Sequence, residues 1–273
     1  MLKQSTFFKA TTLMAFILAI LWTVLPLYIM LKISFSAPAE ILQQHPPLLI
    51  HSFTLDHWQE TLASGNLMPP LIKSLSVAVG ATILALLISI PGAYALARLP
   101  GQLGLALISL IFISRLLPEV EIALPISISF IRLGLLDTSL GLILAHLIRI
   151  LPLTTWILLN TFKTIPLELE EAAEIDGAGR LNILRKVALP LALPGIAVAG
   201  IFAFLFSWDE FIYALYLSFT HKTLPLMVYY YINRASWFDA ATFASIITIP
   251  VLIVTFFLQR YLKTEYLAGA VKG

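Results

Sequence analysis

Four carboxylates, Glu168, Glu170, Glu171 and Glu174, follow Pro166, and three bases, Arg180, Arg185 and Lys186, follow Gly177. This is the most polar segment of an otherwise apolar chain. Proline suits the first turn of a helix, where its missing N–H would have no partner anyway. Acids are favoured at the positive N-terminal end of such a helix. Ala172 and Ala173 favour helix and add almost no bulk. Asp176-Gly177 marks the stop, because glycine is the usual residue just past a helix end. A second helix is expected from about Arg180 through Lys186, with its bases at the entry to the next apolar run. A smooth alanine face flanked by acids suits a groove on another protein. The same pattern also describes a solvated connector with capping charges, and spacing alone does not separate the two.

Other ionisable residues interrupt apolar runs, where a charge is costly and marks a candidate functional site. Arg115 and Glu119 stand four apart, with Pro118 between them and Glu121 beyond. They are candidates for a translocation pathway, or they pair with each other. Trp208, Asp209 and Glu210 close another run and are candidates for a gate; an aromatic anchor with two solvated acids is the plainer reading. His146 and Arg149 lie within a further run. His45, His51 and His57 are spaced by six, which does not place them on one helix face, so they read as scattered surface histidines rather than metal ligands. Tyr229–Tyr231 and Trp237-Phe238 read as an interfacial belt.

No catalytic or metal-binding constellation emerges. The chain lacks G-x-x-x-x-G-K-[ST] and H-E-x-x-H, so neither a phosphate loop nor a metallopeptidase zinc site is encoded. It has no cysteine, hence no disulfide framework and no thiolate metal site. A net charge of +2 gives no argument for nucleic acid.

The elements that position these residues are membrane helices. The chain is 59% hydrophobic and 12% charged over 273 residues, against about 25% charged in a soluble domain. Apolar runs of about 18 residues or more are long enough to span a bilayer. Such runs occupy Ala10–Leu31, Ser74–Ala97, Val187–Trp208 and Ala240–Gln259, and interrupted ones occupy Leu103–Ile131 and Asp137–Phe162. Six transmembrane helices are therefore expected in an all-α integral membrane protein.

Basic residues set the orientation, since they concentrate on the cytoplasmic side. With the N-terminus inside, that side collects Lys3, Lys9, Arg98, Lys163, Arg180, Arg185, Lys186, Arg260, Lys263 and Lys272. The other side collects Lys32, Lys73, Arg132, Lys222 and Arg234. The loop Ile33–Ile72 holds Glu40, Asp56 and Glu60 but no Lys or Arg, as a translocated loop should. Within it a short amphipathic helix is expected near Leu55–Leu62, capped by Thr54. The first apolar run is too long for a signal-peptide core and reads as an uncleaved helix. Both termini and the acidic–basic segment are expected to be cytoplasmic.

Glu171-Ala172-Ala173, then three residues, then Gly177, then Leu189-Pro190, resembles the EAA loop of type I ABC importer permeases. "LGLLDTSLGLIL" (Leu133–Leu144), "FSWDEFIYAL" (Phe206–Leu215) and the ending "AGAVKG" resemble the sugar-importer branch, relatives of the smaller maltose-type subunit. The likeness covers roughly residues 70–273, and it departs where Leu262–Leu267 replaces a glycine-containing stretch. The resemblance implies the type I ABC importer permease fold with a cytoplasmic helix-turn-helix coupling loop. It divides the chain into an N-terminal helix and external loop (1–69), a core of five membrane helices with the EAA loop at about 164–190 (70–262), and a cytoplasmic tail (263–273).

The resemblance assigns ATPase coupling to Glu171, Ala172, Ala173, Asp176 and Gly177. It further implies a second homologous permease subunit, a dimeric cytoplasmic ATPase that holds ATP and Mg, an extracytoplasmic solute-binding protein, and a bacterial or archaeal cytoplasmic membrane. No cofactor is expected in this chain. Import of a polyamine, amino acid or other small solute fits the same machinery. A self-contained secondary transporter would explain the proline-broken charged helices but not the EAA-like loop.

Overall fold

The computed structural model describes residues 6–234 and 236–270. Helices follow in the order α1 (Thr6–Phe35), α2 (Pro38–Ile41), α3 (Asp56–Ala63), α4 (Met68–Ala97), α5 (Gly101–Ile113), α6 (Glu119–Leu133), α7 (Ser139–Lys163), α8 (Leu167–Ile175), α9 (Arg180–Ile183), α10 (Leu189–Trp208), α11 (Ile212–Leu217), α12 (Leu224–Ile232) and α13 (Trp237–Ala270). A π-helical turn, Leu184–Ala188, joins α9 to α10. Among the described residues, five stretches are long and apolar enough to cross a membrane: Thr11–Phe35, Met68–Ala97, Ser139–Lys163, Arg180–Trp208 and Trp237–Phe257.

The remaining apolar run, expected as one interrupted helix over Leu103–Ile131, is two shorter helices, α5 and α6. Pro118 forces the break. Its ring disfavours helical geometry at the residue before it and it offers no N–H of its own. Pro118 therefore serves as the N-cap of α6, and Glu119 and Glu121 fall in that helix's first turn.

The helix expected from Arg180 through Lys186 does not end there. It continues through the π turn into α10, so it is the first part of a membrane helix. Pro190 explains the π turn. It has no N–H for the carbonyl four residues back and its ring crowds that carbonyl, which a local widening of the helix relieves. The tail expected from residue 263 starts as backbone of α13, and residues 271–273 lie outside the described residues.

The chain folds as two compact units. One holds Met68–Leu226 together with residues from Ile249 on. In it α4, α7 and α10 pack against one another. The contact face of α4 is a stripe of small residues, Ala78, Ala81, Ala85, Ser89 and Ala93, all essentially without exposure. Lipid tails are as apolar as leucine, so close backbone approach and interhelical hydrogen bonds hold such helices together. Ser89 Oγ lies 2.9 Å from Thr154 Oγ1 and accepts from Thr155 Oγ1 at 3.1 Å, joining α4 to α7. A core of Leu158, Leu159, Phe162, Leu184 and Ala188 closes one end of this bundle.

The opposite end is tied by polar contacts. Lys73 Nζ donates to Ser218 Oγ (2.8 Å) and to the His221 carbonyl, and lies 3.8 Å from Asp137. Asp137, at φ 59°, accepts from the backbone of Thr220 (3.1 Å) and His221 (3.3 Å).

The other unit holds α1 to α3 and Met227–Thr248. The loop after α1 is folded onto the end of that helix. Glu40 is buried and accepts from the backbone of His51 and Ser52, and Lys32 donates to the Pro47 carbonyl. Phe35 stacks on Phe53 and Trp58 at 5.6 and 5.1 Å. The short helix expected near Leu55–Leu62 is α3, but its N-cap is Leu55 and not the expected Thr54, whose Oγ1 accepts from Asp56 N at 3.1 Å just ahead of the helix. His57 departs from the expectation of a surface histidine. It is buried, 3.3 Å from the Ser36 carbonyl, and stacked on Phe238 at 4.6 Å. His45 and His51 are exposed, and no metal-binding cluster occurs among the described residues.

Candidate functional site

Two groups of polar residues stand out in the helical bundle. The first is built on α8. This helix starts at Pro166, places Glu168 and Glu170 in its first turn, and ends at Asp176. Gly177 then takes φ 83°, the left-handed conformation that glycine adopts without steric cost. The backbone N–H groups of Gly177 and Ala178 donate to the carbonyls of Glu174 and Ala173, so the turn is closed by hydrogen bonds.

The two faces of α8 differ. Glu170 is the buried residue of the helix. Its carboxylate accepts from Arg98 Nε at 3.1 and 3.2 Å, from Arg98 Nη2, and from Tyr94 Oη at 2.8 Å. Burial pushes the Glu170 carboxyl up, but the hydrogen bonds from Arg98 and Tyr94 outweigh it and hold the group below the usual carboxylate range. On the other face Leu169 is 46% exposed and Ile175 87% exposed, with Ala172 exposed between them. Glu171, Asp176 and Gly177 are exposed and Ala173 is half-buried. The five expected coupling residues thus share one short helix and its terminal turn.

The second group lies on α6, α7, α10, α11 and the non-helical segment that precedes α6. Glu119 pairs with Arg149, at 2.7 Å, and not with Arg115. The i,i+4 geometry that would have joined Arg115 to Glu119 does not exist, because residues 114–118 are outside a helix. Arg115 and Arg149 both lie over the ring of Phe206, at 5.5 and 5.2 Å. Arg115, Glu119, Arg149 and Tyr213 line one small cavity of about 250 Å³. An acid, two guanidinium groups and aromatic surface around one cavity offer both donors and acceptors to a polar solute.

The segment Trp208–Glu210 is not a solvated interfacial anchor. Trp208 is buried and stacks on Phe204 at 5.7 Å. Glu210 is 3% exposed and accepts from the backbone of Tyr213 (2.7 Å) and Ala214 (3.1 Å), capping α11. It also lies 3.2 Å from His146 Nε2, whose Nδ1 is 2.7 Å from Ser207 Oγ. Asp209 alone of the two acids is exposed. The physical reason is the helix end: α11 needs an acceptor for its first N–H groups, and Glu210 sits where its side chain reaches them.

Residues 89–266 match the model of the family described as the binding-protein-dependent transport system inner membrane component. The chain belongs to that family. This permease is 36% identical over 231 residues to the sulfoquinovosyl glycerol transport system permease protein SmoH of Agrobacterium fabrum, covering 82% of this chain and 80% of that one. It is 32% identical over 237 residues to the trehalose transport system permease protein SugB of Mycobacterium tuberculosis, covering 83% and 85%. Its fold matches that of a bacterial ABC transporter involved in the import of the acidic polysaccharide alginate, with a TM-score of 0.76 at 23% identity over 94% of this chain and 98% of that one. The permease is thus an all-α inner-membrane protein of the type I ABC importer fold.

Sequence reasoning missed the roles of Glu170, Arg98 and Tyr94, and of His146 and Glu210. A faint signal existed for the first set. Arg98 ends an apolar run and Glu170 shares a helix face with Ala173, three residues on. Nothing in the spacing distinguished Glu170 from Glu168, Glu171 or Glu174.

Proposed function

We propose that this permease carries a sugar across the inner membrane, delivered by an extracytoplasmic binding protein and driven by ATP hydrolysis on a separate, dimeric ATPase. A second homologous permease subunit completes the pathway. ATP and Mg are held by the ATPase, and this chain is non-catalytic. Both termini and α8 face the cytoplasm. The sugar reading draws on relatives whose names specify a sulfoquinovosyl glycerol and a trehalose transport system.

The observation that carries the coupling is the outer face of α8. Leu169, Ala172 and Ile175 recur every three residues on one side of the helix and are left uncovered. Glu171 and Asp176 flank them. An apolar strip edged with acids fits a groove with a basic rim, and small Ala172 permits close approach. Glu171, Ala172, Ala173, Asp176 and Gly177 form the docking element in this reading. Arg115, Glu119 and Arg149 line the solute pathway, and Trp208, Asp209 and Glu210 shape its gate.

The test uses Glu171→Lys and Gly177→Asp in the full complex. Both variants should lose the ATPase on purification and lose transport, while the permease remains inserted in the membrane. Unchanged ATPase recovery together with unchanged transport would refute the docking assignment.

A further inference from the structure

We propose that the Arg98–Glu170 ion pair is the clamp through which α8 drives the bundle, making both of them positioning residues for coupling. The proposal rests on α8 being the ATPase-docking helix and names the part that passes its movement on.

A polar contact anchors α8. Leu167, Leu169 and Ile175 are 49%, 46% and 87% exposed, so none of its large apolar side chains is buried. Its buried residue is Glu170. α8 also packs against α9 and the π turn, but its link to α4 and α7 is ionic and passes through this one side chain. The guanidinium of Arg98 meets both carboxylate oxygens, in the fork geometry that fixes direction as well as distance. Its remaining nitrogen, Nη1, donates to the Phe162 carbonyl at 3.2 Å, in the last turn of α7. Tyr94, one turn back on α4, donates to the same carboxylate and sets its ring edge-on to Phe162 at 5.5 Å.

One guanidinium thus joins three helices: α8 through Glu170, α4 through its own backbone, and α7 through the Phe162 carbonyl. Those last two are the helices that pack on each other and on α10. The covalent routes into α8 are less direct, since one end is the Thr164–Pro166 turn and the other is the Gly177 turn. A side-on push on α8 is carried to α4 and α7 by the fork. Lysine cannot replace Arg98 here, because an ammonium offers a point charge and no planar fork.

The experiment uses the assembled complex, with spin labels on Glu174→Cys of α8 and Ala95→Cys of α4. Both positions are exposed, and the chain has no cysteine of its own to interfere. The probe is ATP–Mg with vanadate. With the native clamp, the distance between the labels should be narrow and should not change when the nucleotide is trapped. In Glu170→Gln and in Arg98→Lys it should broaden and shift on trapping, with the ATPase still bound and transport reduced. The exchange Arg98→Glu with Glu170→Arg should restore a narrow distance in part.

A native distance that itself shifts on trapping, or a Glu170→Gln distance that stays narrow, overturns the clamp. Loss of the ATPase from Glu170→Gln also overturns it, since Glu170 would then serve docking. The underlying reading fails separately: if Gly177→Asp keeps its ATPase, α8 is not the docking helix, whatever the labels report.

Discussion

Gly195 of α10 lies so close to Thr161 of α7 that a Cβ at position 195 would sit 2.1 Å from Thr161 Oγ1 and 2.7 Å from Thr161 Cβ. Real side chains do not approach to that extent, so even alanine must push the helices apart. Gly195→Ala is expected to destabilise the bundle by roughly 1–3 kcal/mol, the usual cost of overpacking. Thr161→Ala in the same chain removes the hydroxyl and methyl contacts but not the Cβ contact, so it should recover part of the loss. Thermal unfolding of the two variants in detergent checks both outcomes.

The Glu119–Arg149 pair links the start of α6 to the middle of α7. The side chains are 27% and 35% exposed, so the pair is worth less than a fully buried one. A double-mutant cycle with Glu119→Gln and Arg149→Gln should give a coupling on the order of 1 kcal/mol. The same cycle between Glu119 and Arg115 should give much less, because these two form no ion pair. Equal couplings would show that Glu119 is shared between the two arginines and is not paired with Arg149 alone.

Asp209 and Glu210 are adjacent acids with different surroundings. Glu210→Ala leaves the N–H groups of Tyr213 and Ala214 without their acceptor and leaves His146 without its carboxylate. That should cost about 1–3 kcal/mol, as for other buried groups stripped of a hydrogen-bond partner. Asp209→Ala, at an exposed site, should stay within about 0.5 kcal/mol. Denaturation midpoints of the two variants rank them. A larger loss for Asp209→Ala would contradict the capping role of Glu210.

Asp137 yields a pH prediction. Burial pushes its carboxyl up, but hydrogen bonds from Thr220 and His221 and the nearby Lys73 ammonium outweigh that and hold it below the usual carboxylate value. A depressed folded value stabilises the fold above the unfolded value, and the gain is lost as pH falls through the folded one. Asp137→Asn keeps the left-handed backbone conformation, which asparagine tolerates, and removes the charge. The variant should melt below the native protein near neutral pH, and the gap should narrow as pH drops below about 4. A gap that does not depend on pH there would mean the charge is not what holds this turn.

The long helices and the α8–Gly177 turn were readable because each is a local property. Uninterrupted apolar length makes a membrane helix, and proline and glycine mark where α8 begins and ends. The broken third run was half readable. Pro118 was visible, but the full break over residues 114–118 became evident only in the fold. For Arg115 and Glu119 the spacing offered a pathway role or a mutual pair, and the pair failed because the spacing rule holds only inside a helix. Trp208 and Glu210 looked interfacial because they end an apolar run, yet both are buried, Trp208 against Phe204 and Glu210 as the cap of α11.

By itself, then, the sequence determined that this chain is a lipid-embedded bundle with one polar helix and a glycine turn at its edge. Those conclusions need only run length, residue type and short-range spacing. The tertiary structure alone decided which charges are partners. Arg98 meets Glu170 across 72 positions, Glu119 meets Arg149 across 30, and His146 meets Ser207 across 61. A charge in an apolar setting must find a partner, but chain order does not say which one. That choice follows from how α4, α7 and α10 pack, and small residues such as Gly195 and the alanines of α4 set how closely they do so.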